Sequence, residues 1–159
     1  MLAQSLTRSR SGGHQNNPVK IIMNNRERID AYFQACSVGT ANDIADHFTA
    51  DAIVYDTNHK PVQGAATIGA FWNEIRDRWQ QAHWYVDTCI SEGDVAAIEW
   101  TMTGISGEGE FTVRGSEHYR FEAGLIAEIR QYWTFNRTAL NTALVEFPYS
   151  ARAIYHAAK

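Results

Sequence analysis

The sequence predicts an α+β domain, a curved and mainly antiparallel sheet covered by three helices that enclose a pocket. Three observations predict it. Apolar residues recur at helical spacing within residues 25–37 and again from Ile68 to Trp79. The second half of the chain is dominated by period-two alternation, in runs separated by short turns that contain Gly. The resulting order is helix, helix, strand, helix and then four long strands, which gathers helices on one side of a sheet.

Ile29, Tyr32, Phe33 and Cys36 fall at i, i+3, i+4 and i+7, so residues 25–37 read as an amphipathic helix. Val38-Gly39 ends it, and Thr40 is placed to cap a short second helix that runs to Phe48. "DAIVYDTN" (51–58) is a strand rich in β-branched residues, and "HKPVQG" (59–64) is a loop marked by its Pro and Gly. A third helix follows, on which Ile68, Phe71, Trp72, Ile75 and Trp79 make one apolar stripe. Residues 82–91 form the next strand, up to a turn at Glu92-Gly93-Asp94. From 95 to 104, Ala96, Ile98, Trp100 and Met102 take one face while Glu99, Thr101 and Thr103 take the other. "SGEGE" (106–110) is a hairpin loop, and "RGSEHYRFEAGLIAEIRQYW" (114–133) supplies the last two strands, joined at Glu122-Ala123-Gly124. Asn136 is placed to cap a closing helix that includes Leu140 and Leu144.

Residues 1–24 contain no acidic residue, little periodicity and no hydrophobic region of a secretory signal, so we expect a disordered leader there. The domain is expected over 25–146, with a C-terminal tail at 147–159. At 159 residues the chain is long enough for one domain with a real core. No apolar run approaches the roughly 18 residues that a transmembrane helix needs. A net charge of −4 argues against a nucleic-acid partner. Cys36 and Cys89 form no metal motif and no disulfide framework, which fits reduced thiols in a cytoplasmic protein. Five Trp, seven Tyr and seven Phe fit either a well-filled core or an aromatic-lined pocket.

One residue breaks the alternation. On the first strand of 114–133, Arg114, Ser116, His118, Arg120 and Glu122 share the wet face. Val113, Gly115, Glu117, Tyr119 and Phe121 share the other, and Glu117 does not suit a core. A carboxylate turned inward costs several kcal/mol unless it is paired, hydrogen-bonded or protonated.

The element order, with "FTADAIVYD" after a short helix and "SEHYRFEAGLIAEIRQYW" near the end, resembles the nuclear-transport-factor-2-like superfamily. More narrowly it resembles the ketosteroid isomerase-like and polyketide cyclase (SnoaL)-like branch, over roughly residues 26–136. Tyr32 matches a tyrosine that these isomerases carry on the inner face of the first helix. Ungapped spacing then delivers Asp56 to the place of the family's general base. Glu117-His118-Tyr119-Arg120-Phe121 is similar to the family's penultimate strand, with Glu117 at the position of its oxyanion-hole aspartic acid. Here Glu stands for Asp, and Gln131 places an amide where the steroid isomerases tend to be apolar.

What the resemblance implies is a cone-shaped fold and cofactor-free enolisation or isomerisation of a small hydrophobic carbonyl or polycyclic compound. Asp56 would move the proton, while Tyr32 and a neutral Glu117 would donate hydrogen bonds to the developing oxyanion; ketosteroid isomerase is itself a standard worked case of this chemistry. Phe71, Trp72, Trp100, Met102, Tyr119, Ile129, Gln131 and Trp133 would surround the substrate, and no metal is required. Two alternatives stay open. A dehydratase or polyketide cyclase-like enzyme would use Tyr32, Asp56 and His83, since related dehydratases carry a pocket histidine near that position. A non-catalytic small-molecule-binding or dimerisation module is the other. Relatives that hydrolyse epoxides need an Asp-Arg-Asp network where this chain has Trp100, Met102 and Gln131. The residues also have bland readings: Tyr32 as a core tyrosine, Asp56 as a turn cap, Glu117 as half of an ion pair and His83 as a surface residue at a strand end. The superfamily often forms homodimers through the outer sheet face, and a homodimer is expected here.

Overall fold

The computed structural model describes residues 23–134 and Ser150. Asn24 caps the first helix, α1 (Asn25–Val38), in a capping box with Glu27. Thr40 and Asp43 form a second box at the start of α2 (Ala41–Ala45), so the expected cap is in place although the helix is shorter than the sequence suggested. The chain then runs through β1 (Phe48–Asp56), β2 (Val62–Gln63), α3 (Ala65–Asp77), β3 (Gln80–Glu92), β4 (Val95–Ser106), β5 (Gly109–Glu122) and β6 (Leu125–Tyr132). The segment 59–64, expected as a loop, therefore carries a two-residue strand, which pairs with Ile53 and Val54. Trp79 lies just beyond the end of α3, its backbone N–H bonded to the Arg76 carbonyl.

The six strands lie in the order β2-β1-β6-β5-β4-β3. All neighbours are antiparallel except β1 and β6, which pair in parallel. Alternation of apolar and polar residues is what makes β4 and β5 legible as strands with one buried face. Ala96, Ile98, Trp100 and Met102 are all buried, as are Val113, Tyr119 and Phe121 across from them. The turn from β5 to β6 places Ala123 and Gly124 at φ 49° and 85°, the two positive-φ positions of a tight hairpin connection. α1 packs on β3, α3 on β1 and β2, and α2 on α3, which closes the apolar face of the sheet. No helix among the described residues is long and apolar enough to cross a membrane.

The opposite face is less uniformly wet than its sequence suggests. His118 and Glu122 are exposed, but the Arg114 side chain is only 10% exposed. Its Nη1 donates to Thr101 Oγ1 at 2.6 Å, and Thr101 Oγ1 donates to Asp87 Oδ2 at 2.6 Å. Thr101 is fully buried, and pairing with Asp87 is what lets the guanidinium be buried too. Alternation along one strand cannot reveal this, because the partners come from β4 and, beyond it, β3. The expected closing helix at Asn136, Leu140 and Leu144 lies outside the described residues.

Candidate active site

Four residues form a row across the sheet at one register. Asp56 on β1 pairs with Gln131 on β6, Gln131 with Glu117 on β5, and Glu117 with Ile98 on β4. Neighbouring strands are about 4.8 Å apart, so the backbones carrying the two carboxyl groups are about 10 Å apart.

Glu117 is 4% exposed, and its Oε2 accepts a hydrogen bond from the Tyr119 hydroxyl two residues along the same face. Burial pushes its pKa up from 4.5 to about 8, and the charge of Asp56 pushes the same way against the opposing effect of the Tyr119 bond. At neutral pH the group therefore keeps its proton and is a hydrogen-bond donor. Tyr32 projects from α1 into the same region and packs edge-on against Phe33 and Phe48. Burial first, then the neighbouring Cys36 and Glu117, raise its pKa well above the usual phenol range. Tyr32 thus stays a phenol, beside a carboxyl that stays an acid. The Tyr119 hydroxyl, likewise held up by burial and by Glu117, is used in supporting Glu117.

Asp56 is anchored from both oxygens. Oδ1 accepts from the Asn58 backbone N–H at 2.6 Å and from its amide at 3.2 Å, while Oδ2 accepts from Trp133 Nε1 at 2.7 Å. Asp56 is therefore the cap of the turn that follows β1 and also a fixed carboxylate at the end of the polar row. Its side chain is fully covered. A carboxylate offers about four acceptor positions, so these bonds orient it without using it up.

His59 is a residue that sequence reasoning passed over. The capped turn folds the loop back, so that His59 Nε2 lies 3.5 Å from Asp56 Oδ2. Nδ1 sits 2.8 Å from the Lys60 carbonyl, which can only accept, and so carries a proton. The ring packs against Phe71 at 4.6 Å. An Asp-x-x-His spacing beginning on a turn-capping Asp was the signal that could have found it.

Beside the row lies a cavity between α3 and the sheet, about 340 Å³ of unfilled space counted out to its mouth. Trp72, Trp100, Met102, Gln131 and Trp133, all expected to contact substrate, line it. Ile75, Trp79, Trp84, Phe111 and Val113 complete the wall and were not anticipated there. Phe71, Tyr119 and Ile129 stand back from it: Phe71 holds His59, Tyr119 holds Glu117, and Ile129 is sealed in the core. The space open to the centre of a water molecule is about 20 Å³, so a ligand larger than water must turn some of these rings aside.

His83 is not brought into this group, which corrects the expectation of a pocket histidine. Ala82, Trp84 and Val86 are its buried neighbours on β3, whereas His83 is partly exposed on the other face with its ring 4.4 Å from that of Tyr85. Period-two alternation puts a residue next to Trp84 on the far side of the sheet. Among the described residues there is no cluster of three or more His, Cys, Asp or Glu suited to a metal ion.

A family model described as a SnoaL-like domain matches residues 29–129. The chain belongs to the SnoaL-like family. Solved structures similar to this SnoaL-like protein include a hypothetical protein with a ketosteroid isomerase-like fold from Catenulispora acidiphila, in complex with trimethylamine. The two share 18% identity at a TM-score of 0.64, over 72% of this chain and 88% of that one. A SnoaL-like polyketide cyclase from Jannaschia sp. is 16% identical with a TM-score of 0.61, over 69% and 84% of the two chains. TerC, co-crystallised with polyporic acid, is 15% identical with a TM-score of 0.60, over 69% and 91%. At these identities the likeness is one of fold alone. No curated protein matches the sequence.

Proposed function

We propose that this SnoaL-like protein catalyses cofactor-free enolisation or isomerisation of a small hydrophobic carbonyl compound. The observation that carries the reading is Glu117, a carboxyl buried beside Tyr119 and holding its proton up to about pH 8. A neutral carboxyl and a buried phenol, Tyr32, are the donors an enolate oxygen requires, and in a dry site they gain strength as charge develops. Asp56 is the base: its carboxylate is fixed by Asn58 and Trp133 and takes the proton next to the carbonyl, then returns it elsewhere on the same molecule. Two structural neighbours were crystallised with small molecules, trimethylamine and polyporic acid, which supports a small-molecule ligand. The position of His83 on the far face weighs against the dehydratase alternative.

Phenolates mimic the enolate in charge and shape, so phenol titration of the purified protein tests the reading. Phenol binds the wild type, and Asp56→Asn, which removes a neighbouring negative charge, tightens it about tenfold. Absence of phenol binding in both proteins would sink the oxyanion site. Binding that Asp56→Asn leaves unchanged would favour a non-catalytic binding module. We also propose a cytoplasmic homodimer that uses the outer sheet face, with sedimentation equilibrium as the check on the dimer.

A further inference from the structure

Among the described residues, three polar atoms of side chains lining the tryptophan-rich cavity have no partner: Trp72 Nε1, Trp100 Nε1 and Gln131 Oε1. Their side chains belong to residues only 6, 1 and 5% exposed. Folded proteins pair nearly all such atoms, because an unpaired buried donor or acceptor carries its full desolvation cost. Three of them around one cavity call for a shared cause. Two donors and one acceptor are the complement of a hydroxyl group, which accepts at two lone pairs and donates once.

We propose that the cavity receives a hydroxyl group of the substrate, a carbonyl compound that carries this hydroxyl close to its carbonyl. Trp72 and Trp100 donate to the hydroxyl oxygen, and Gln131 accepts its proton. The inference deepens the isomerase reading and rests on it for the carbonyl end alone.

The register sets the closeness of the two groups. Gln131 is the direct cross-strand partner of Glu117, and side chains so paired start about 5 Å apart. The Trp100 indole reaches the same place because residue 115 is a glycine. A Cβ there would lie 2.7 Å from Trp100 Cε2, the ring atom bonded to Nε1. The N–H edge of Trp100 thus crosses β5 two residues before Glu117, on the same face. A substrate oxygen at Glu117 and a hydroxyl at Gln131 and Trp100 are therefore separated by only a few bonds. Gln131 fits this role better than a packing role, since a leucine would fill the position with no unpaired atom.

The test compares phenol, catechol and resorcinol as ligands of the wild type, Gln131→Leu and Trp100→Phe. One of the diols binds the wild type more tightly than phenol by about tenfold or more, the gain expected of the three added hydrogen bonds. Gln131→Leu and Trp100→Phe each remove most of that advantage. Gln131→Leu melts at or above the wild-type temperature, because it replaces an amide whose oxygen is unpaired with hydrocarbon of similar size, so its loss of preference is not unfolding. The proposal is overturned if both diols bind no better than phenol, if the preference survives both substitutions, or if none of the three ligands binds. A diol preference with no response of phenol to Asp56→Asn retains the hydroxyl receptor and retires the isomerase reading.

Discussion

At the scale of single residues, Glu117 couples the proposed chemistry to stability. Its pKa is 4.5 in the unfolded chain and about 8 when folded, so between these values the native state holds the extra proton. Unfolding then releases a proton, and stability falls as pH rises from 4.5 through about 8. The loss at the alkaline end is on the order of a few kcal/mol. Glu117→Gln keeps the shape and cannot ionise, so it should flatten this part of the profile and be more stable than wild type at pH 9. Urea denaturation of both proteins across pH 5–9 measures it; parallel profiles would mean that Glu117 ionises freely. His59 shows how a site residue escapes a sequence reading. Its importance comes from a turn that returns it to Asp56 at 3.5 Å, and turn geometry is weakly encoded in residue type.

At the scale of elements, Gly115 in the middle of β5 is unfavourable for a strand in isolation, yet it makes the room that the Trp100 indole occupies. A Cβ at this position would come within 2.5 Å of Trp100 Cζ2 and 3.0 Å of Trp133 Cβ. Gly115→Ala therefore overpacks against a rigid ring and should cost about 1–3 kcal/mol. If the ring is the reason, combining Gly115→Ala with Trp100→Leu should recover part of that loss, giving a coupling energy of about 1 kcal/mol in a double-mutant cycle read by urea denaturation. Additive costs would place the strain elsewhere. The strands themselves were legible because one face of each is buried and the period is strict, which is why Ala96, Ile98, Trp100 and Met102 were assigned together. What stayed hidden depended on more than one strand. The Asp87–Thr101–Arg114 cluster draws on β3, β4 and β5, and no single run of alternation marks its members. His83 was misassigned for a related reason: a resemblance supplied its role, whereas the parity of its position relative to Trp84 decides its face.

At the scale of the whole molecule, all five tryptophans of the chain, Trp72, Trp79, Trp84, Trp100 and Trp133, line the same cavity. They come from α3, the segment after it, β3, β4 and the residue just after β6, so only the folded sheet with its helix cover assembles them. The aromatic content alone could not separate a filled core from a pocket wall, and the arrangement is some of both: a wall packed closely enough to leave little more than room for water. Tryptophan emission therefore reports on this cavity. A ligand that enters it must displace indole rings and change the emission of the native protein. The same ligand stabilises the fold by mass action, by about 2.7 kcal/mol at a free concentration of one hundred times Kd. Titrating phenol while recording tryptophan emission and thermal melting should give one binding constant from both signals. A rise in melting temperature with unchanged emission would place the ligand away from the cavity, and the Trp72, Trp100 and Gln131 side chains would then need another explanation for their unpaired atoms.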